Sequence, residues 1–236
     1  PEGNDDLERA VSTTMATVTA GAGLREAPGG FVPTTFDFGA FERAPLRHDP
    51  FDFLIVPGFL TPATLAAVNR DFPKLDAPGN VAIDRADHGP AFARFLDELQ
   101  GEDLRRRFER KFGMDLSGTR PTISVRGWCE ATDGNIHTDH KSKLLTVLLY
   151  FNEDWPHEGG RLRLLRSRTD IEDYAAEVVP CGGAMLAFRR TDNSWHGHKP
   201  HVGERRILQM SYTRGGEMAR VVSGLTKPIR RLLGRS

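Results

Sequence analysis

Apolar positions recur along this chain at two different periods, and the change falls near residue 122. Ahead of it, PFDFLIVPGFL (Pro50 to Leu60) carries a short apolar strand closed by Pro57-Gly58. Thr61-Pro62 then reads as a cap with proline at the first helical position, which predicts a helix through about Phe72. From Pro90 to Lys111, the residues Phe92, Phe95, Leu96, Leu99, Leu104 and Phe108 fall mostly on one helical face, so a second helical stretch is expected there. Both helices are expected to buttress a sheet. From Thr122 onward the period is that of strands: TISVRGW, LLTVLLYF, GRLRLL, AEVVP, AMLAF and RRILQMSYT, separated by Gly, Asp, Asn and Pro turns. Six short strands without intervening helices predict an antiparallel sandwich or barrel.

Composition narrows the class. A chain of 236 residues, 39% hydrophobic and 27% charged, is long enough to bury a core without disulfide staples, and has no apolar run long enough to span a bilayer. Lys+Arg and Asp+Glu each number 32, so the net charge gives no reason to expect nucleic acid as a partner. Cys129 and Cys181 are too few for a zinc cluster, and neither lies beside a Lys, Arg or His; both read as structural. The opening PEGNDDLERA lacks the pattern of a secretory signal, so the cytoplasm is the expected compartment. Residues 1 to 30 read as a flexible arm, 31 to 223 as the functional domain (helical support to 121, strand core over 122–215), and 224 to 236 as a basic tail with Lys227, Arg230, Arg231 and Arg235.

The histidines are distributed unevenly. In GNIHTDH, His137 and Asp139 are two residues apart, so an extended chain points an imidazole and a carboxylate to the same face. A third ligand is available in SWHGHKP, where His196 lies 59 residues downstream of His137, far enough for antiparallel strands to return beside the first. Two His and one carboxylate on one face of an octahedral ion leave three positions open, as expected of non-haem Fe(II) oxygenases, whereas structural zinc usually takes four protein ligands. The triad alone leaves open the plainer reading, of polar turn residues. Arg205, nine residues after His196, and Tyr150, at the end of LLTVLLY, add a fixed guanidinium and a phenol suited to one end of a dicarboxylate. Arg205 and Arg206 point to opposite faces of their strand, so only one reaches inward. Arg205 is preferred, since Ile207, Gln209 and Ser211 would then share a partly polar interior while Leu208, Met210 and Tyr212 pack outside.

In the order HTDH, LTVLLYFNEDW, GGRLRLL, WHGHKP and GERRILQMSY, with PFDFLIVPGFLTPATLAAV ahead of them, the chain resembles the Fe(II)- and 2-oxoglutarate-dependent dioxygenases, within them the prolyl hydroxylase-like branch. The resemblance covers most of Pro50 to Thr213. It implies a double-stranded β-helix, or jelly roll, mainly β with supporting α-helices. It implies iron held by His137, Asp139 and His196, and the cosubstrate carboxylate met by Arg205 and Tyr150. The family's metal histidine normally stands four residues before a proline, which selects His196 ahead of Pro200 and leaves His198 and His201 as polar rim residues.

The same resemblance implies an activity: 2-oxoglutarate chelates Fe(II), dioxygen takes the remaining position, and oxidative decarboxylation yields succinate, carbon dioxide and a hydroxylated substrate, with ascorbate as a stimulant. Asp139 argues against a halogenase, which needs that coordination position vacated. The substrate is either a protein or peptide prolyl residue or a small metabolite, and selectivity is expected in the loops Pro73 to Pro90 and Arg166 to Asp173. The alternative from another class is a non-catalytic jelly-roll module that binds or senses a metal. Lys143 reads either as a solvated loop lysine or as a group at the pocket mouth, Trp195 as packing, and Arg126 and Trp128 as cosubstrate-side candidates whose facing is open.

Overall fold

The central strands are apolar almost without interruption because both faces of their sheet are covered. The computed structural model describes residues 35–214 apart from 76, 77 and 120. The tails at 1–30 and 224–236, and with them the outer limits of the domain, lie outside the described residues. In chain order the elements are α1 (Phe38–Arg43), β1 (Phe53–Val56), α2 (Pro62–Arg70), β2 (Val81–Ala82), α3 (Pro90–Leu99), α4 (Glu102–Phe112), β3 (Thr122–Cys129), β4 (Lys143–Tyr150), β5 (Leu162–Leu165), β6 (Tyr174–Val178), β7 (Met185–Arg189), β8 (His196–Gly197) and β9 (Gly203–Thr213). A six-stranded antiparallel sheet in the order β1-β7-β4-β9-β3-β2 lies with a three-stranded antiparallel sheet, β6-β5-β8. This is a jelly roll supported by helices.

Alternation along each strand sorts its side chains between two cores. Leu54, Val147, Leu149, Met185, Leu208, Met210 and Tyr212 point away from the small sheet into a layer that contains Phe92, Phe95, Leu99, Leu104 and Phe108 of α3 and α4. Phe53, Leu148, Tyr150, Leu186, Phe188 and Ile207 point the other way, against Leu162, Leu164, Ala176 and Val178 of the small sheet. Aromatic rings fill the helical layer: Phe95 meets Phe36, Phe92 and Phe151 with centroids 5.6 to 5.9 Å apart. The residues expected to pack outside the barrel on β9 are therefore buried beneath the helices.

The single helical stretch expected over residues 90–111 is two helices. The chain breaks at Gly101, whose backbone is extended (φ −66°, ψ 154°), and a Cβ there would stand 3.0 Å from the carbonyl of Glu98. Helical periodicity misses the break because Leu99 and Leu104 enter the same core from both sides of it. Three short elements gave no periodic signal: α1, capped by Asp37 accepting from the Ala40 amide at 2.7 Å, and the two-residue strands β2 and β8. No described helix is long and apolar enough to cross a membrane.

Candidate metal centre

Two segments remote in sequence are paired by their backbones at the site. His137 and His196 donate their amides to each other's carbonyls, each at 3.0 Å, as one antiparallel bridge. That pairing brings the imidazoles side by side, with ring centroids 4.3 Å apart. The ligand atoms of His137, Asp139 and His196 all lie within 4.8 Å of one another. Nδ1 of His137 donates to the Asn135 carbonyl at 2.8 Å, and Nδ1 of His196 to the Ser194 carbonyl at 2.9 Å. Both rings are thus fixed in the tautomer that leaves Nε2 free as a metal donor.

Asp139 is buried, and each of its carboxylate oxygens accepts one hydrogen bond. Lys143 Nζ donates to Oδ1 at 2.8 Å and Thr146 Oγ1 to Oδ2 at 2.6 Å, while Arg190 Nε holds the Asp139 carbonyl at 3.1 Å. Burial works against the charge, but the nearby Lys143 and His196 and the two hydrogen bonds outweigh it and hold the carboxyl at about 2. Burial pushes the His196 imidazole down to about 4, against the opposing pull of Asp139. Two imidazoles with free Nε2 atoms and an ionised carboxylate converging on one point form a donor set that suits Fe(II) and leaves further positions for ligands from solution.

The Lys143–Asp139 pair predicts a pH-dependent stability in the metal-free protein. A carboxyl lowered from 3.8 to about 2 contributes stability that is complete above about pH 4 and disappears as the pH falls through about 2. Lys143→Met is expected to destabilise the metal-free chain by on the order of 1 to 3 kcal/mol at neutral pH. The deficit should narrow steadily below about pH 4, which urea titrations at several pH values will read.

Beside the triad opens a cavity of about 300 Å³, lined among others by His137, His196, His198, Arg126, Arg205 and Gln209. Arg205 is 3% exposed, and its Nε donates to the Gly160 carbonyl at 2.9 Å. Its Nη2 has no partner. The Tyr150 hydroxyl, fully buried with Arg205 5.7 Å from its ring, has none either. Burial pushes the Tyr150 phenol up to about 12, so it remains a donor at neutral pH. Two orphaned buried donors, one cationic, fit an incoming carboxylate.

Arg206, on the opposite face of β9, pairs with Glu204 and lies 5.6 Å over the Phe72 ring, away from the cavity. Arg126 lines the cavity, tied to Asp133 at 2.7 Å and to Asn80 at 3.1 Å, whereas Trp128, beyond a register shift in β3, is 48% exposed. Three expectations need correction. His198 is no rim residue: it is buried in the cavity wall, 4.0 Å from the Cys129 sulfur. Lys143 is no solvated loop lysine, because it is spent on Asp139. His201 packs on Trp155 and His157 outside the cavity lining. Trp195 is half-buried, and both cysteines are free thiols. Sequence reasoning missed Thr146 and Arg190; Thr146 was findable, since it lies four residues before Tyr150 and therefore on the same face of β4.

Comparison with known proteins adds a family. Residues 129–214, which span both arms of the triad and Arg205, match the family described as the 2OG-Fe(II) oxygenase superfamily. No curated protein matches the chain. A prolyl-4-hydroxylase from Pseudomonas putida aligns over 70% of this chain and 87% of its own at 20% identity, with a TM-score of 0.51. A prolyl hydroxylase from Trichoplax adhaerens, solved with a peptide fragment of the hypoxia inducible factor oxygen degradation domain, aligns over 68% and 83% at 18% identity, also with a TM-score of 0.51. At such identities these structures speak for the fold. Residues 129–214 thus match a superfamily whose members work with Fe(II), 2-oxoglutarate and dioxygen, and the fold is prolyl hydroxylase-like.

Proposed function

We propose that the protein is a hydroxylase in which His137, Asp139 and His196 hold Fe(II) while Arg205 and Tyr150 hold the far carboxylate of 2-oxoglutarate. The observation that carries this reading is a cavity lined by His137, His196 and Arg205, with the Asp139 carboxylate converging on the two imidazoles and the buried Tyr150 hydroxyl close behind Arg205. Together the bound ion, cosubstrate and dioxygen supply an oxidation that leaves succinate and carbon dioxide and places a hydroxyl on the substrate.

The chain's own part is orientation. Gly160 fixes the Arg205 Nε, so the remaining guanidinium edge stays aimed at the carboxylate, and the Tyr150 hydroxyl adds a second donor from β4. Leu148, Leu162 and Ile207 give the cavity an apolar stretch of wall that would keep water from a bound cosubstrate. Thr146 and Lys143 keep the Asp139 carboxylate in one rotamer, and the Asn135 and Ser194 carbonyls do the same for the two imidazoles.

The substrate favoured is a prolyl residue of a peptide, by analogy with the two prolyl hydroxylases of similar fold. A small polar metabolite is the second reading, favoured by the polar groups that Asn80, Arg126, Asp133 and Asn135 bring to the cavity. Selectivity between them is assigned to the loops over 73–90 and 166–173. The test is aerobic incubation of the full chain with Fe(II) and 2-oxoglutarate, with and without prolyl peptides and metabolite pools. Succinate formed without substrate, raised by one class and accompanied by a gain of oxygen in that class, is expected. Absence of succinate under every condition would leave the metal-binding or sensing module as the better reading.

A further inference from the structure

A second cavity, of about 450 Å³, lies on the helical side of the large sheet and is lined by Gln100, Glu102, Arg105, Thr119, Pro121 and Tyr212. It shares no lining residue with the cavity beside the triad. Tyr212 stands an odd number of residues after Arg205 on β9 and so faces the other way, into the layer that holds α3 and α4. The break at Gly101 between those helices leaves Gln100 and Glu102, both exposed, at the cavity's rim.

The donors and acceptors of this cavity are sorted by depth. Tyr212 is 1% exposed, and its hydroxyl has no hydrogen-bond partner among the described residues. Its ring is packed edge-on against Phe108, with centroids 6.3 Å apart, which fixes where the hydroxyl stands. Burial pushes the phenol up, so it keeps its proton and remains a donor at neutral pH. At the rim the protons are already placed. Gln100 Nε2 donates to the Leu96 carbonyl at 3.1 Å, which leaves Oε1 to accept. Thr119 Oγ1 donates to the Leu116 carbonyl at 2.6 Å, which leaves its lone pairs. Arg105 spends Nη1 on Glu109 at 2.5 Å and Nη2 on Glu102 Oε1 at 3.0 Å, and Arg106 reaches that same oxygen at 2.8 Å, so Glu102 Oε2 is left as a further acceptor.

A buried donor below and acceptors above select the chemistry of what fits between them. A carboxylate would meet Glu102 and two neutral oxygens with no proton to give them, and an ammonium has no lone pair for the phenol. An amide answers both, with its carbonyl inward and its N–H outward. We propose that this cavity is a binding site for a small uncharged ligand bearing a carboxamide, whose carbonyl accepts from Tyr212 and whose N–H groups donate to the rim. The site stands apart from the metal centre and does not depend on how that centre is read.

The probe is nicotinamide, with nicotinate, the same ring carrying a carboxylate in place of the carboxamide, as its counterpart. Each is titrated into the full chain while the backbone amide NMR shifts of Gln100, Glu102 and Tyr212 are followed, so binding elsewhere is not counted. Nicotinamide is expected to move these shifts with a Kd on the order of millimolar, ordinary for so few atoms, and nicotinate to bind at least about tenfold more weakly. Tyr212→Phe keeps the ring on Phe108 and loses only the hydroxyl, and should weaken nicotinamide about three- to tenfold. Shifts that do not move with nicotinamide up to about 50 mM, equal binding of nicotinate, or undiminished binding by Tyr212→Phe each overturn the proposal.

Discussion

Asp139→Ala is expected to leave the chain without stoichiometric Fe(II) after anaerobic reconstitution, where the unaltered chain takes up about one equivalent. The proposed site has three protein ligands, and the carboxylate is its only anionic one. Removing it leaves two imidazoles beside Lys143, whose ammonium then repels an incoming dication instead of being neutralised. His196→Ala should have the same outcome, whereas His198→Ala should keep its iron. Metal analysis of the three variants, each checked for folding by circular dichroism, decides the matter. Iron lost from His198→Ala and retained in His196→Ala would move the distal ligand by two residues.

Arg205→Ala is expected to weaken 2-oxoglutarate by on the order of 2 to 5 kcal/mol while iron stays in place, because a desolvated charge pair is lost from one side. Tyr150 remains as a neutral donor, which is why residual binding is expected at high cosubstrate concentration. Arg206→Ala touches only Glu204 and the Phe72 face, and should change the affinity by less than about tenfold. Anaerobic titration following the iron-to-2-oxoglutarate absorption band reads both variants. A larger loss for Arg206 would mean that β9 presents its other face to the cosubstrate.

The fold was legible where periodicity is strong. The strand runs from Thr122 and the helix after Thr61 carry their own start signals, and the alternation of β9 separates Arg205, Ile207 and Gln209 from Leu208, Met210 and Tyr212. Helix α1 and the two-residue β2 and β8 left no trace, since a few residues complete no hydrophobic period. At the site, the residue types that coordinate or attract charge were visible, but the groups that position them were not. The carbonyls of Asn135 and Ser194 act through the backbone, so no side chain announces them. His198 was misplaced for a related reason: its burial depends on Gly134 leaving space for its ring, and vacant space is invisible in a list of functional side chains.

The mutual backbone bridge between His137 and His196 has a consequence for how the centre is filled. The imidazoles are gathered by strand pairing, so the entropy of assembling a chelate is met during folding and not at the moment of ion uptake. A chelator should therefore strip the ion and leave the sheet standing, and reloading should need no refolding step. The centre then behaves as an exchangeable pool whose occupancy tracks free iron by mass action, so a preparation's past exposure to iron leaves no lasting imprint on its activity.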